Sequence, residues 1–193
     1  MKKAVCLHAG SLAKQLAFTA VFAALCLVGT YVIVVPLPNG YFNAGDVFVL
    51  LSGWCLGPLY GSVAAAIGSA LADVVCGFAL YAPATFMIKG LDAMLAYFVY
   101  ALLKKCIRKE KLDFLPRAFS AVFGEILMVA GYFLFESVLY GLAGATISLL
   151  GNTLQGVCCA ICGVALASAL YPVPAVKRLF PQLSVGVIDQ GNK

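Results

Sequence analysis

The chain has 193 residues, of which 63% are apolar and 11% charged, with a net charge of +5 and a mean hydropathy of +1.01. Soluble domains are about 45–50% apolar and ~25% charged, so 13 basic and 8 acidic side chains are too few to solvate a free globule without large sticky apolar patches. The composition therefore requires an integral membrane protein and excludes most soluble enzyme classes, and at roughly 20 apolar residues per spanning helix the length suits a single domain of six helices with short loops.

The first apolar segment runs from Leu12 to Val35 and stops at the Pro36-Leu-Pro-Asn-Gly40 cluster, a strong helix stop. Lys2 and Lys3 ahead of it could open a signal peptide. Lys14 interrupts the run, however, and no Ala-x-Ala site precedes a polar chain, so an uncleaved first helix is expected. The second segment, Asp46 to Leu56, is short for a span: its 11 residues rise only ~16 Å. It is tilted, extended upstream or packed inside the bundle, and the break at Gly57-Pro-Leu-Tyr-Gly61 also allows 46–78 to be one interrupted hairpin. The third segment is Ser62 to Phe78. A Tyr81-Ala-Pro83 turn leads to the fourth, Ala84 to Leu103. The polar stretch 104–117 separates it from the fifth, Ala118 to Tyr140. After a turn over 141–144, the sixth runs from Thr146 to Tyr171. The expected fold class is thus an all-α membrane protein, a bundle of six transmembrane helices over residues 1–171, with a loosely ordered cytoplasmic tail over 172–193.

Orientation follows from the basic residues. Lys2, Lys3 and Lys14 open the chain, Lys104, Lys105, Arg108, Lys109, Lys111 and Arg117 follow the fourth helix, and Lys177, Arg178 and Lys193 follow the sixth. Only Lys89 lies within a span. Positive charge gathers on the cytoplasmic side, so both termini are expected there. Most of the eight cysteines sit in apolar runs, where a thiol acts as a small hydrophobe. The Cys159-x-x-Cys162 pair has neither a second pair nor a nearby histidine to complete a metal site, and the single histidine, His8, precedes the first span. No Walker, Gly-x-Ser-x-Gly or His-Glu-x-x-His motif occurs. No catalysis, cofactor, metal or nucleic-acid partner is expected.

The informative charges are Asp46, Asp73, Lys89, Asp92, Glu125 and Glu136, within or at the ends of spans, where a charge costs ~2.5–3.5 kcal/mol at a helix centre. Asp73 and Lys89 lie eight residues either side of Tyr81 and hence at similar depth, which predicts an ion pair, with Asp92 sharing its network at i+3. The pair either staples two helices or belongs to a ligand site. Glu125, Tyr132 and Glu136 fall within about 40° of one helical line, a polar stripe facing the interior. Asn152 and Gln155 share a face near the outer end of the sixth helix. The segment Asn39-Gly-Tyr-Phe-Asn-Ala-Gly-Asp46, with its glycines, aromatics and amides, is predicted to be a lid or ligand wall. Ala13 and Ala17, Ala20 and Ala24, and the row Gly61, Ala65, Gly68 and Ala72 offer small faces for close helix approach.

Tyr41-Phe-Asn-Ala-Gly-Asp46, Leu56-Gly-Pro-Leu-Tyr-Gly61, Gly68-Ser-Ala-Leu-Ala-Asp73, Tyr81-Ala-Pro-Ala-Thr-Phe-Met-Ile-Lys-Gly90, Gly124-Glu-Ile-Leu-Met-Val-Ala-Gly-Tyr132 and Gly151-Asn-Thr-Leu-Gln-Gly156 together resemble the substrate-specific S components of energy-coupling factor (ECF) transporters, in the branch with hydroxymethylpyrimidine, pyridoxine and riboflavin-type members. The resemblance covers residues 12–171. It implies a multi-pass protein of a prokaryotic cell membrane that binds a vitamin or precursor from outside and docks on a transmembrane T component with two ATPases. It also implies docking through an Ala-x-x-x-Ala face, best matched by Ala20 and Ala24, and a ligand under the loop after the first helix, between helices four to six. The expected ligand-binding residues are Asn43, Asp73, Lys89, Tyr132, Glu136, Asn152 and Gln155, with Trp54 and other aromatics available for stacking. Two other classes compete: a small proton-coupled secondary transporter using Asp73, Glu125 or Glu136 as relays, which is disfavoured by the lack of an internal repeat, and a ligand-free membrane scaffold.

Overall fold

The computed structural model describes residues 12–37, 40–107 and 112–184. Lys2, Lys3, His8, Asn39, Arg108, Lys109, Lys111 and Lys193 lie outside the described residues. The elements in order are α1 (Leu12–Val32), β1 (Val34–Leu37), β2 (Gly40–Asn43), α2 (Gly45–Val75), α3 (Ala82–Cys106), α4 (Phe114–Leu170), α5 (Pro174–Leu179) and a 3-10 turn (Pro181–Ser184). Among the described residues, α1, α2, α3 and α4 are long and apolar enough to cross a membrane. The chain is a multi-pass helical membrane protein.

Two of these helices are too long to be straight rods in a bilayer. At 1.5 Å per residue, the 31 residues of α2 and 57 of α4 would reach ~46 and ~86 Å, against a hydrocarbon core of about 30 Å. Each is broken by one glycine: Gly57 (φ 84°, ψ −175°) in α2 and Gly141 (φ 74°, ψ 171°) in α4. Both lie in a backbone region essentially closed to residues with a Cβ. The expected segments 46–56 and 62–78 are therefore two arms of one broken helix that ends at Val75, and the expected turn over 141–144 shrinks to a single residue. Around the first break, Ser52 Oγ donates to the Gly61 carbonyl at 3.0 Å and to that of Val49 at 2.7 Å, clamping the two arms of α2 together. Tyr41 packs at a tilt against Phe78 with ring centroids 4.8 Å apart, so both ends of α2 come to the same end of the bundle.

The short arm 45–56 is the centre of the core. Val49, Leu50 and Trp54 have no solvent exposure. An element that is apolar all round is buried by protein rather than paired with water, which resolves the difficulty of its length: it is enclosed by α1, α3 and α4. Close approach depends on glycines. A Cβ on Gly53 would lie 2.3 Å from the Ala93 carbonyl oxygen, and one on Gly68 would lie 2.2 Å from that of Ala23. The Gly61, Ala65, Gly68 and Ala72 row is thus in part a packing surface within the bundle. Ala20 and Ala24, by contrast, are exposed on α1, as are Ala13 and Ala17.

Several expectations are corrected here. The segment after α1 is a two-stranded antiparallel hairpin with Val34 opposite Asn43 and Leu37 opposite Gly40, rather than an irregular loop, and α1 ends at Val32 rather than Val35. The segment after Pro172 is not loose over 174–184: Leu183 is 1% exposed, its carbonyl accepts from Tyr100 Oη at 2.6 Å and Arg117 Nη2 at 3.1 Å, and Phe180 packs edge-on against Phe18 and Phe22. Lys104 and Arg117 are not loose loop charges: both are 1% exposed and both pair with Asp113. Trp54 is likewise no ligand wall, since its indole Nε1 donates to Ser120 Oγ at 3.0 Å within the core.

Breaking a buried ion network by removing one partner costs about 3–5 kcal/mol. Asp113→Ala, which strands both Lys104 and Arg117, is expected to lower the thermal unfolding midpoint of the detergent-purified protein markedly; an unchanged midpoint would contradict a buried triad. Gly141→Ala is expected to cost about 1–3 kcal/mol through backbone strain alone, read by the same melt.

Candidate functional site

At the end of the bundle that holds the hairpin, the polar residues of α1, β2, α2, α3 and α4 meet. The apolar faces of α2, α3 and α4 pack deeper in the bundle, so the polar positions near this end are left facing one another. They form a cavity of ≈ 470 Å³ including its open mouth, lined by Thr30, Tyr41, Asn43, Ser69, Asp73, Phe78, Tyr81, Thr85, Lys89, Tyr132, Glu136, Asn152 and Gln155. All seven residues expected to contact a ligand line this one cavity, and the hairpin roofs it.

The electrostatic centre differs from the expected one. Lys89, 3% exposed, pairs with Asp46, which is fully buried at the start of α2; it does not pair with Asp73. The depth comparison across Tyr81 matched α3 only with its sequence neighbour and left out the buried arm of α2, whose first turn lies at the same level. From Asp46 the network runs on through one residue to the roof. Asp46 Oδ2 accepts from Gln155 Nε2 at 2.7 Å, and Gln155 Oε1 accepts from the Asn43 backbone N–H at 2.9 Å and its Nδ2 at 3.3 Å. Asn43 Oδ1 in turn accepts from the Gly45 N–H at 2.9 Å, and Cys159 Sγ donates to the Asn43 carbonyl at 3.5 Å. This chain ties α3, α2 and α4 to the hairpin, and its links to Asp46 are charge-assisted and so stronger than the neutral amide bonds between Gln155 and Asn43. Lys89 also stands over the Tyr132 ring at 5.3 Å from its centroid, close enough for cation–π attraction.

Two carboxyl groups at the cavity wall, Asp73 and Glu136, have no ion-pair partner among the described residues. Asp73 accepts from Tyr41 Oη at 2.6 Å, and burial together with that carboxylate pushes the Tyr41 phenol up, keeping it protonated as the donor. Glu136 accepts from Tyr81 Oη at 3.3 Å, and Tyr81 packs edge-on against Phe135. Thr85 Oγ1 and Tyr132 Oη are 2.9 Å apart, fixing the phenol at the wall. The residues that sequence reasoning left out are Thr30, Ser69, Phe78, Tyr81 and Thr85; of these, Tyr81 and Thr85 stand in the same short motif as Lys89, and Tyr41 was visible as an aromatic of the roof.

The expected stripe on the fifth helix divides. Tyr132 and Glu136 face the cavity. Glu125, 5% exposed, instead lines an apolar groove between the two arms of α4, with Val122, Phe133, Leu149 and Val157. Asp92, fully buried, has no hydrogen-bond partner for either oxygen among the described residues, so it shares the Lys89 network expected at i+3 through space rather than by a bond.

The profile of the family described as ECF-type riboflavin transporter, S component, matches residues 11–172, which spans α1 to α4 and every residue of the cavity. A Pyrococcus woesei protein described as an uncharacterized protein in gap 3′ region is 33% identical over 158 residues, covering 81% of this chain and 97% of that protein. An apolar bundle with one roofed polar cavity is what a membrane component that handles a small solute requires. The chain belongs to the family of ECF-type S components, and its role is in vitamin-type transport across a membrane.

Proposed function

We propose that this protein captures a water-soluble vitamin or vitamin precursor at the outer face of a prokaryotic cell membrane and delivers it as the S component of an ECF-type importer. The observation that carries the reading is the roofed cavity: a chain with only 11% charged residues concentrates Lys89, Asp73, Glu136, Gln155, Asn43 and three tyrosines around one space closed by a hairpin. Polar groups of this kind are costly in a bilayer unless they serve a function. The aromatic edges of Tyr41, Phe78, Tyr81 and Tyr132 suit a flat heteroaromatic ring; hydroxymethylpyrimidine, pyridoxine and riboflavin all have one, and riboflavin is the substrate in the name of the matching family.

In this reading the two arms of α2 and of α4 each cross the membrane, giving six spans with both termini cytoplasmic. Lys14, Lys104, Lys105, Arg117, Lys177 and Arg178 all stand at the end away from the hairpin, which agrees with the positive-inside rule, and the cavity therefore opens outward. Ligand enters when the hairpin lifts, and the Lys89–Asp46–Gln155–Asn43 chain draws it back. The exposed Ala20 and Ala24 face of α1 receives the transmembrane T component, and two ATPases supply the energy.

Uptake in cells is expected only when the T component and both ATPases are co-expressed; uptake by the purified chain alone in liposomes, driven by a proton gradient, would instead establish the secondary-transporter reading. Gln155→Ala removes the link between the ion pair and the roof and is expected to weaken ligand affinity about 10- to 100-fold in a titration of the purified protein. Ala20→Leu with Ala24→Leu is expected to leave that affinity unchanged while abolishing uptake, since bulk on this face blocks close helix approach.

A further inference from the structure

The charge balance of the cavity points to a narrower class of ligand, and this rests on the reading of the cavity as the substrate site. Among the described residues, Lys89 is the only basic residue lining it, and its charge is already met by Asp46. Asp73 and Glu136 are 5% and 1% exposed, and each lines the cavity from a different helix. Each uses one oxygen to accept from a tyrosine of the site, while Asp73 Oδ2 and Glu136 Oε2 have no hydrogen-bond partner among the described residues. One ammonium therefore faces three carboxylates. Buried carboxylates without a countercharge are strongly unfavourable, and a cation arriving between them is stabilised in proportion. Tyr41, Phe78, Tyr81 and Tyr132 line the same space, and an aromatic ring within about 6 Å attracts positive charge over its face. A phosphate or carboxylate group would meet two buried carboxyl groups and find no free cation.

We propose that the ligand is a heteroaromatic that carries positive charge, on a ring nitrogen or on a protonated amine, held by Asp73 and Glu136, and that anionic esters of the same rings are rejected. Lys89 then serves the roof through Asp46 rather than binding an anionic substituent.

The test is a binding titration of the purified full-length chain with probes that differ in charge: pyridoxamine against pyridoxine, which exchange an amine for a hydroxyl on one ring, and thiamine against riboflavin and its phosphate ester. The expected result is that a cationic probe binds roughly 10- to 100-fold more tightly than its neutral counterpart, that the phosphate ester does not bind, and that Asp73→Asn or Glu136→Gln removes the preference for charge without abolishing the weaker neutral binding. A variant that merely misfolded would lose both, and gel filtration with the buried Trp54 fluorescence identifies it. Neutral or anionic probes binding as tightly as cationic ones, with Asp73→Asn and Glu136→Gln silent, would overturn the charge class and leave the S-component reading standing. Binding of no probe, with uptake still dependent on the ATPases, would overturn it too. Loss of both binding and ATPase-dependent uptake would remove the S-component reading itself.

Discussion

The buried Lys89–Asp46 ion pair is the constraint on which the rest of the site depends. An ammonium and a carboxylate taken out of water pay a desolvation cost of several kcal/mol each, recovered only when the geometry is good and the remaining hydrogen-bonding capacity is used. Here that capacity is used outward: Asp46 holds Gln155, and Gln155 holds the backbone and side chain of Asn43. The pair thus fixes the level at which α2 begins, the depth at which α3 presents Tyr132's partner Thr85, and the position of the hairpin over the cavity. Because the roof is secured to a charge pair by a single glutamine, it is firmly placed when shut and needs only a few hydrogen bonds broken to lift.

The opposite end of the bundle is built on similar physics with a different outcome. Lys104 and Arg117 share Asp113, Arg117 and Tyr100 both donate to the Leu183 carbonyl, and the arginine lies over the rings of Tyr100 and Tyr171. The charges of Lys104, Arg117 and Asp113 are paired with one another there, and the segment over 174–184 seals that end with Leu183 and Phe180. At the cavity end, two carboxylates are left unmatched. Charge satisfied at one end and withheld at the other distinguishes the part of the bundle that holds the fold from the part that awaits a ligand.

Much of this was legible in the sequence, because a bilayer makes polar residues rare and therefore conspicuous: Asn43, Asp73, Lys89, Tyr132, Glu136, Asn152 and Gln155 could be picked out of apolar segments, and they line one cavity. What was not legible required knowing which helices are neighbours. Asp73 was assigned to Lys89 because their spacing from Tyr81 is equal, yet Asp46, distant in sequence, is the partner, since residues 45–56 run inside the bundle. The roof has a hairpin's Val34-Val35 run and Asn39-Gly40 pair, but the flanking prolines conceal it. Phe180 and Leu183 lie in a short stretch that mixes apolar residues with prolines and two basic residues, and nothing local shows that Phe18, Phe22 and Tyr100 await them. Lys104 and Arg117 looked like ordinary loop charges because a cytoplasmic lysine or arginine is usually solvated, and only the fold brings Asp113 to both.

The central claim is that the roofed cavity holds one small solute per chain, and that the link from Lys89 through Asp46 and Gln155 to Asn43 retains it. Native mass spectrometry of the protein purified from membranes tests this most directly. The account predicts a single small-molecule adduct on the wild-type chain that is lost in Gln155→Ala while the fold persists. Wild-type and Gln155→Ala chains with the same adducts, or a wild-type chain that takes up none even when offered vitamins and their precursors, would contradict it.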